Sequence, residues 1–309
     1  MLKPSWAQDL EPGSGPETSV SGTTDENQPR FRVHSDLVVV PVTVTTTRGR
    51  VVPGLAKDHF SVLEDGVPQV ITHFTSEDAP ATIGVVFDSS GSMSPRLAKA
   101  QEAVYALLRI ANPEDEFFLI RFNDRPERLV SLTRRADEVH RAVETLEVSG
   151  TTAVYDAVNL AWLEMTKAHH PRKAIILISD GEDNASRITE TEFQQLASES
   201  DTAIFTLYLG VEWDESAYQR PNKPRGASVL EDIARQSGGC MYVVDKLKQL
   251  PEIASKIGSW IRSQYVLGYV PANGSRNGGY HRIQVKISKP VGFPKLQSFW
   301  RLGYLAPVP

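Results

Sequence analysis

A chain of 309 residues, 40% apolar and 23% charged, has the composition of an ordinary globular protein and the length of one large domain or about two smaller ones. Its formal net charge of −5 and the lack of a basic stripe argue against a nucleic-acid binder, and no run reaches the ~18 apolar residues that cross a bilayer. The single cysteine, Cys240, excludes an internal disulfide; in GGCMYVV it reads as a small buried hydrophobe.

Residues 1–30 are rich in Pro, Gly, Ser and acids, and read as a disordered tail. Within it, Ser5-Trp6-Ala7 before Gln8 has the small-x-small form of a secretory cleavage site, but the basic and apolar regions that precede such a site are missing. Either the true start lies upstream and the protein is secreted or periplasmic, or this is a cytoplasmic tail. Residues 31–76 read as strands and turns: DLVVVPVTVTTT, HFSVLEDG and VPQVITHF, with Asp65-Gly66 as a tight turn.

From 81 to 263 strands alternate with helices. ATIGVVFD, DEFFLIRF, KAIILISD, TAIFTLYLG and CMYVV read as strands. PRLAKAQEAVYALLRIA, RADEVHRAVETL, AVYDAVNLAWLEMTKAH, TETEFQQLASES, ASVLEDIARQSG and DKLKQLPEIASKIGSWIRSQ read as helices, with Pro251 implying a kink or a late start in the last. This alternation predicts an α/β fold, a doubly wound, mainly parallel sheet covered on both faces. Residues 265–304 return to strands: YVLGYVP, GYHRIQVKIS and FWRLGYL. Each flanking block is too short to bury a core alone, so 31–76 and 265–304 are expected to pair into one small β domain.

The chemistry concentrates in FDSSGSMS, residues 87–94. Asp88-x-Ser90-x-Ser92 sets oxygen-bearing side chains at alternate positions just past a strand end. Asp180 ends a second strand and is followed by Gly181, and Thr151-Thr152 follow Gly150 ahead of a helix. In an open parallel sheet the carboxyl ends of the strands line one edge, where ligands bind, so these groups converge. Taken singly, each has a plainer reading: Asp88, Ser90 and Thr152 as helix caps, Asp180-Gly181 as a turn. Together they form a set of hard oxygen donors without His or Cys, which favours Mg²⁺, Mn²⁺ or Ca²⁺ over Zn²⁺.

Asp88-x-Ser90-x-Ser92, Thr152 before AVYDAV, and ISDG resemble the metal-ion-dependent adhesion site of von Willebrand factor type A domains over about residues 81–263. The flanks LVVVPVTVTTTRGRVVPGLAKDHFSVLEDGVPQ and SQYVLGYVP resemble a bacterial, acidobacterial-type subfamily of related proteins. The resemblance implies direct ligation by Ser90 and Ser92, and ligation by Asp88, Asp180 and Thr152 directly or through water. The family usually has Gly-Gly-Thr where this chain has Gly150-Thr151-Thr152, so Thr151 stands in the place of a glycine.

The function so implied is not enzymatic: a protein-binding module whose divalent ion captures an acidic side chain of a partner protein. A metal-dependent hydrolase is one alternative, but no Gly-x-Ser-x-Gly elbow, His-Glu-x-x-His run or phosphate loop is present. An accessory to an ATPase-driven complex is another, with the ATPase supplied by a partner. His169-His170 read as solvated residues at a helix end. The polar stretch 211–226, leaving the same sheet edge, reads as a partner-selecting loop.

Overall fold

The computed structural model describes residues 37–76, 79–210, 224–272, 277–290 and 292–307. The expected disordered tail and residues 211–223 of the expected loop lie outside them. TIGVVF and AIILIS have no polar face to offer water, so each suits a strand covered on both sides. They form β5 (Ala81–Asp88) and β8 (Arg172–Ser179), paired in parallel from Ala81↔Arg172 to Phe87↔Ile178. The two-residue period persists inside these runs. Val85, Phe87, Ile176 and Ile178 enter one apolar cluster, and Val86, Ile175 and Leu177 enter the other.

Three further strands, β6 (Glu116–Phe122), β9 (Ala203–Tyr208) and β10 (Met241–Val243), extend the parallel sheet. Antiparallel β7 (Pro126–Thr133) closes one edge, giving the order β10-β9-β8-β5-β6-β7. One face is covered by α1 (Leu97–Arg109), α2 (Ala136–Glu144) and α6 (Leu250–Arg262). The other is covered by α3 (Val154–Met165), α4 (Glu190–Glu199) and α5 (Arg225–Ser237). This is the mainly parallel, doubly wound sheet that the alternation predicts. Pro251 sits in the first turn of α6, so the helix starts late and has no kink to explain.

Residues 38–76 and 265–305 share two four-stranded sheets. In one, β1 (Val38–Thr46) lies between β11 (Tyr265–Tyr269) and β13 (Leu296–Trp300), with β4 (Ile71–Thr75) outside β11. In the other, β12 (Tyr280–Ile287) lies between β2 (Phe60–Glu64) and β14 (Gly303–Leu305), with β3 (Val67–Gln69) outside β2. Asp65-Gly66 is the two-residue turn of the β2–β3 hairpin, both residues at positive φ. VPQVITHF thus divides between two sheets, as does FWRLGYL. Val40, Val42, Val44, Val62, Leu267 and Ile283 belong to one apolar core built from strands of both sheets.

These sheets meet the α/β part at the amino-terminal edge of its strands. Arg172 Nη2 donates to Gln264 O at 3.1 Å, and the Phe299 ring lies 4.7 Å from that of Trp260. Gly238, the left-handed C-cap of α5, lets the chain touch β13: a Cβ there would lie 2.7 Å from the Trp300 carbonyl carbon. Cys240 is half-buried beside Phe299 and Trp300, its thiol pushed up to about 12 by desolvation, which makes it a poor nucleophile. His169 is exposed, as expected of a residue at a helix end, and His170 is half-buried, and both rings also make hydrogen bonds. The His169 ring Nδ1 lies 2.9 Å from Glu116 Oε1, and His170 Nε2 lies 2.9 Å from Glu114 O, so both pin the start of β6. All described residues belong to the compact unit Asp36–Pro309, and no helix among them is long and apolar enough to cross a membrane.

The strand that carries Asp88 tolerates little change. At Gly84 a Cβ would fall 2.2 Å from the tip of the Phe118 ring, which is fully buried and has nowhere to move. Gly84→Ala is therefore expected to lower unfolding free energy by about 1–3 kcal/mol, read as a shift in the urea midpoint at unchanged slope.

Candidate metal centre

Along the sheet, β5 stands between β6, reached through α1, and β8, whose own onward connection runs through α4 on the opposite face. The loops leaving β5 and β8 therefore diverge and open a crevice at the carboxyl edge. Asp88 is the last residue of β5 and Asp180 follows the last residue of β8, so the two carboxylates face this crevice from adjacent strands.

Local hydrogen bonds fix them there. Asp88 is fully buried; its Oδ1 accepts from Ser90 N at 2.9 Å and its Oδ2 from Ser179 Oγ at 2.6 Å. Ser179 Oγ in turn accepts from Gly181 N at 2.9 Å, which ties the two strand ends together. Gly181 has φ +83°, and a Cβ there would lie 2.1 Å from Gly226 O, so α5 begins directly against the Asp180 turn. Ser90 Oγ and Ser92 Oγ are 3.1 Å apart, Ser90 buried and Ser92 exposed. Gly91 N donates to Gly150 O at 3.0 Å and Ser149 N to Ser89 O at 2.8 Å, so the serine loop and the threonine loop are joined. The five expected ligands thus sit on three mutually bonded loops.

Capping does not account for them. No side-chain cap hydrogen bond is made at the 3-10 turn Gly91–Arg96, at α1 or by Ala153, the cap residue of α3. The start of α3 is held instead from the loop after β8, by Asp183 on Tyr155 N and Ser186 on Asp156 N. The two threonines also differ. Thr151 is exposed and commits both its N–H and its hydroxyl to Asp124 Oδ1. Thr152 is buried, with Asn184 Oδ1 accepting from its N–H at 2.9 Å.

Electrostatically the pair is strained. Burial pushes the Asp88 carboxyl up to about 6 against the hydrogen bonds from Ser179 and Ser90, and the Asp180 charge adds to the rise. Asp180 Oδ1 is buried and meets no hydrogen-bond partner among the described residues, which leaves it open to a water, an ion or another ligand. A hard divalent cation fits this oxygen-only set: it would satisfy the orphaned oxygen and offset the buried charge.

A second cluster escapes the sequence reading. Glu64, Asp65 and His281 gather where β2 meets β12. Their atoms are already committed. Glu64 Oε2 accepts from Tyr269 OH at 2.6 Å and Tyr304 OH at 3.0 Å, and Asp65 Oδ1 accepts from Arg282 N at 2.9 Å. The His281 nitrogens meet Asp65 Oδ2 at 2.7 Å and Asn277 Oδ1 at 3.1 Å. This is a structural network.

Comparison with known proteins places part of the chain beside a known domain type. Residues 83–182 match the family model of the von Willebrand factor type A domain, a stretch that includes Asp88, Ser90, Ser92, Thr152 and Asp180. Over these residues the chain is similar to the von Willebrand factor type A domain. It is 28% identical over 222 residues to inter-alpha-trypsin inhibitor heavy chain 4 of Mus musculus, covering 64% of this chain and 22% of that protein. It is 24% identical over 224 residues to a UPF0353 protein of Mycolicibacterium vanbaalenii, covering 66% of this chain and 65% of that protein. The chain thus spans less than two thirds of the length of these relatives. A von Willebrand factor type A structure from Catenulispora acidiphila shares the fold, with a TM-score of 0.50 at 14% identity over 90% of this chain and 75% of that one.

Replacing one of the paired charges tests the electrostatics. In EDTA, Asp88→Asn is expected to raise unfolding free energy by about 1–3 kcal/mol at pH 7, because it removes a buried charge whose ionisation the fold opposes. The same variant is expected to lose any shift in melting temperature on adding Mg²⁺. A destabilised variant that still responds to Mg²⁺ contradicts both expectations.

Proposed function

We propose that this chain is a metal-ion-dependent protein-binding module. Asp88, Ser90, Ser92, Thr152 and Asp180 hold one divalent cation, Mg²⁺, Mn²⁺ or Ca²⁺, at the carboxyl edge of the sheet. Bound there, the ion offers a Lewis-acidic position to a carboxylate from an acidic side chain of the partner protein. The reading is carried by the buried, unpartnered Asp180 Oδ1 beside the buried Asp88 carboxyl.

The residues divide the work by charge and exposure. Asp88 and Asp180 supply the two negative charges that match a divalent ion. The hydroxyls of Ser90, Ser92 and Thr152 are neutral donors, so the ion keeps electrophilic character toward an outside ligand. Ser92 is the exposed member, so its side of the crevice is where a partner has access. Ser179 and Gly181 hold the carboxylates in place without joining the donor set.

Isothermal calorimetry with Mg²⁺ or Mn²⁺ on the wild type and Asp88→Ala tests the site. Saturable heat is expected from the wild type only, and equal heats from both would remove the assignment. A pull-down in Mg²⁺ and in EDTA tests the function. Capture is expected only with the ion, and only while the partner keeps its acidic contact residue; capture indifferent to EDTA contradicts the proposal.

A further inference from the structure

The carboxylate pair already has a cation of its own. Arg96 ends the 3-10 turn Gly91–Arg96 that carries Ser92, and its side chain folds back over that turn. Arg96 Nη1 lies 3.3 Å from Asp180 Oδ2 and donates to Ser92 O at 2.6 Å. Arg109 with Glu102 and Arg141 with Asp137 pair at the surface with more than half of the arginine side chain exposed, whereas Arg262 beside Asp115 is enclosed much as Arg96 is. Arg96 is only 18% exposed and its partner Asp180 only 9%. One guanidinium thus bridges a backbone oxygen of the serine loop and a carboxylate of the aspartate loop, two of the three loops that form the crevice.

We infer that Arg96 is an internal competitor for the divalent cation, and that it sets the affinity of the site. The inference rests on the metal reading proposed above. The ion needs Asp180, and Arg96 holds Asp180 Oδ2 while Oδ1 stays open. A divalent charge on that carboxylate places two cations beside one anion, and at this burial water screens their repulsion weakly. Binding therefore weakens or breaks the Arg96–Asp180 pair, and the apparent affinity is lowered by what that pair contributes. In return, the positive side chain offsets part of the Asp88–Asp180 repulsion when no ion is bound. It also keeps Ser92 tied to the turn from which it would ligate.

The test uses the full chain and metal alone. Arg96→Met and Arg96→Gln remove the charge while keeping much of the length, and Arg96→Lys keeps the charge. The Mg²⁺ dissociation constant from calorimetry is expected to fall about tenfold in the two neutral variants, equivalent to about 1.4 kcal/mol. Arg96→Lys is expected to stay near the wild type. In EDTA the neutral variants are expected to melt below the wild type, and in saturating Mg²⁺ the gap is expected to close. Folded neutral variants whose Mg²⁺ affinity is unchanged or weaker overturn the inference. Should both fail to fold, the wild type still decides: the Arg96 Nε–H resonance must shift in step with Mg²⁺ occupancy, and an unmoved resonance overturns the role. Asp88→Ala separates the two layers. If it binds Mg²⁺ as the wild type does, the metal reading fails and takes this inference with it; if it loses binding while the neutral variants gain nothing, only the competitor role falls.

Discussion

Two buried carboxylates on adjacent strand ends are the constraint around which the carboxyl edge of this sheet is built. Parallel pairing up to Phe87↔Ile178 leaves Asp88 and Asp180 no freedom to separate. Raising the Asp88 carboxyl from 3.8 to about 6 corresponds to about 3 kcal/mol against ionisation at neutral pH. The strands bear this easily. Val85, Val86, Phe87 and the run Ile175 to Ile178 are all essentially buried, each contributing about 1.5–3 kcal/mol. The hydrophobic term wins, and the local electrostatic conflict persists in the folded state. Ser179, Gly181 and Gly226 then make sense as parts that keep the conflict in one place.

How much of this is legible in the sequence depends on how local the cause is. The sheet was readable because ATIGVVFD and KAIILISD are apolar on both faces, and the convergence of Asp88 and Asp180 follows from parallel topology alone. β7 was not readable: PERLVSLT is an edge strand, mostly half or fully exposed, so it shows neither alternation nor an apolar run. The divided runs VPQVITHF and FWRLGYL fail for a related reason, since a one- or two-residue break that changes sheets leaves no periodicity to detect. Within the site, the oxygen donors were legible by type and spacing. Arg96, Ser179 and Asp124 were not, because their roles depend on side-chain direction and on loops far apart in sequence. Gly150 carried part of the Asp124 signal: its φ of +79° and the 2.7 Å approach of Asp124 oxygens to its Cβ position admit no side chain.

The β sheets stand at the other end of the same strands. Arg172, at the first residue of β8, reaches Gln264 just before β11, while Asp180 lies beyond the last residue of β8. Among the described residues, the strands from both ends of the chain thus make these contacts at the edge opposite Asp88 and Asp180. The crevice between Asp88 and Asp180 and these contacts of the flanking strands are separated by the length of β8.

The chain also contains a control for its own site. Glu64 is as deeply buried as Asp180, and it too lies within reach of another carboxylate. There the fold supplies two phenols to the buried Glu64, and an imidazole and a backbone amide to the exposed Asp65. At the carboxyl edge an aspartate oxygen is buried without a partner among the described residues, beside the hydroxyls of Ser90 and Ser92 and the guanidinium of Arg96. A buried carboxylate is costly in both places; hydrogen bonds from within offset the cost at Glu64, and offset it at Asp88 and at one oxygen of Asp180 but not at the other. Proximity of acids is common to both clusters. The open oxygen at Asp180 is what distinguishes the carboxyl-edge pair from the Glu64 network.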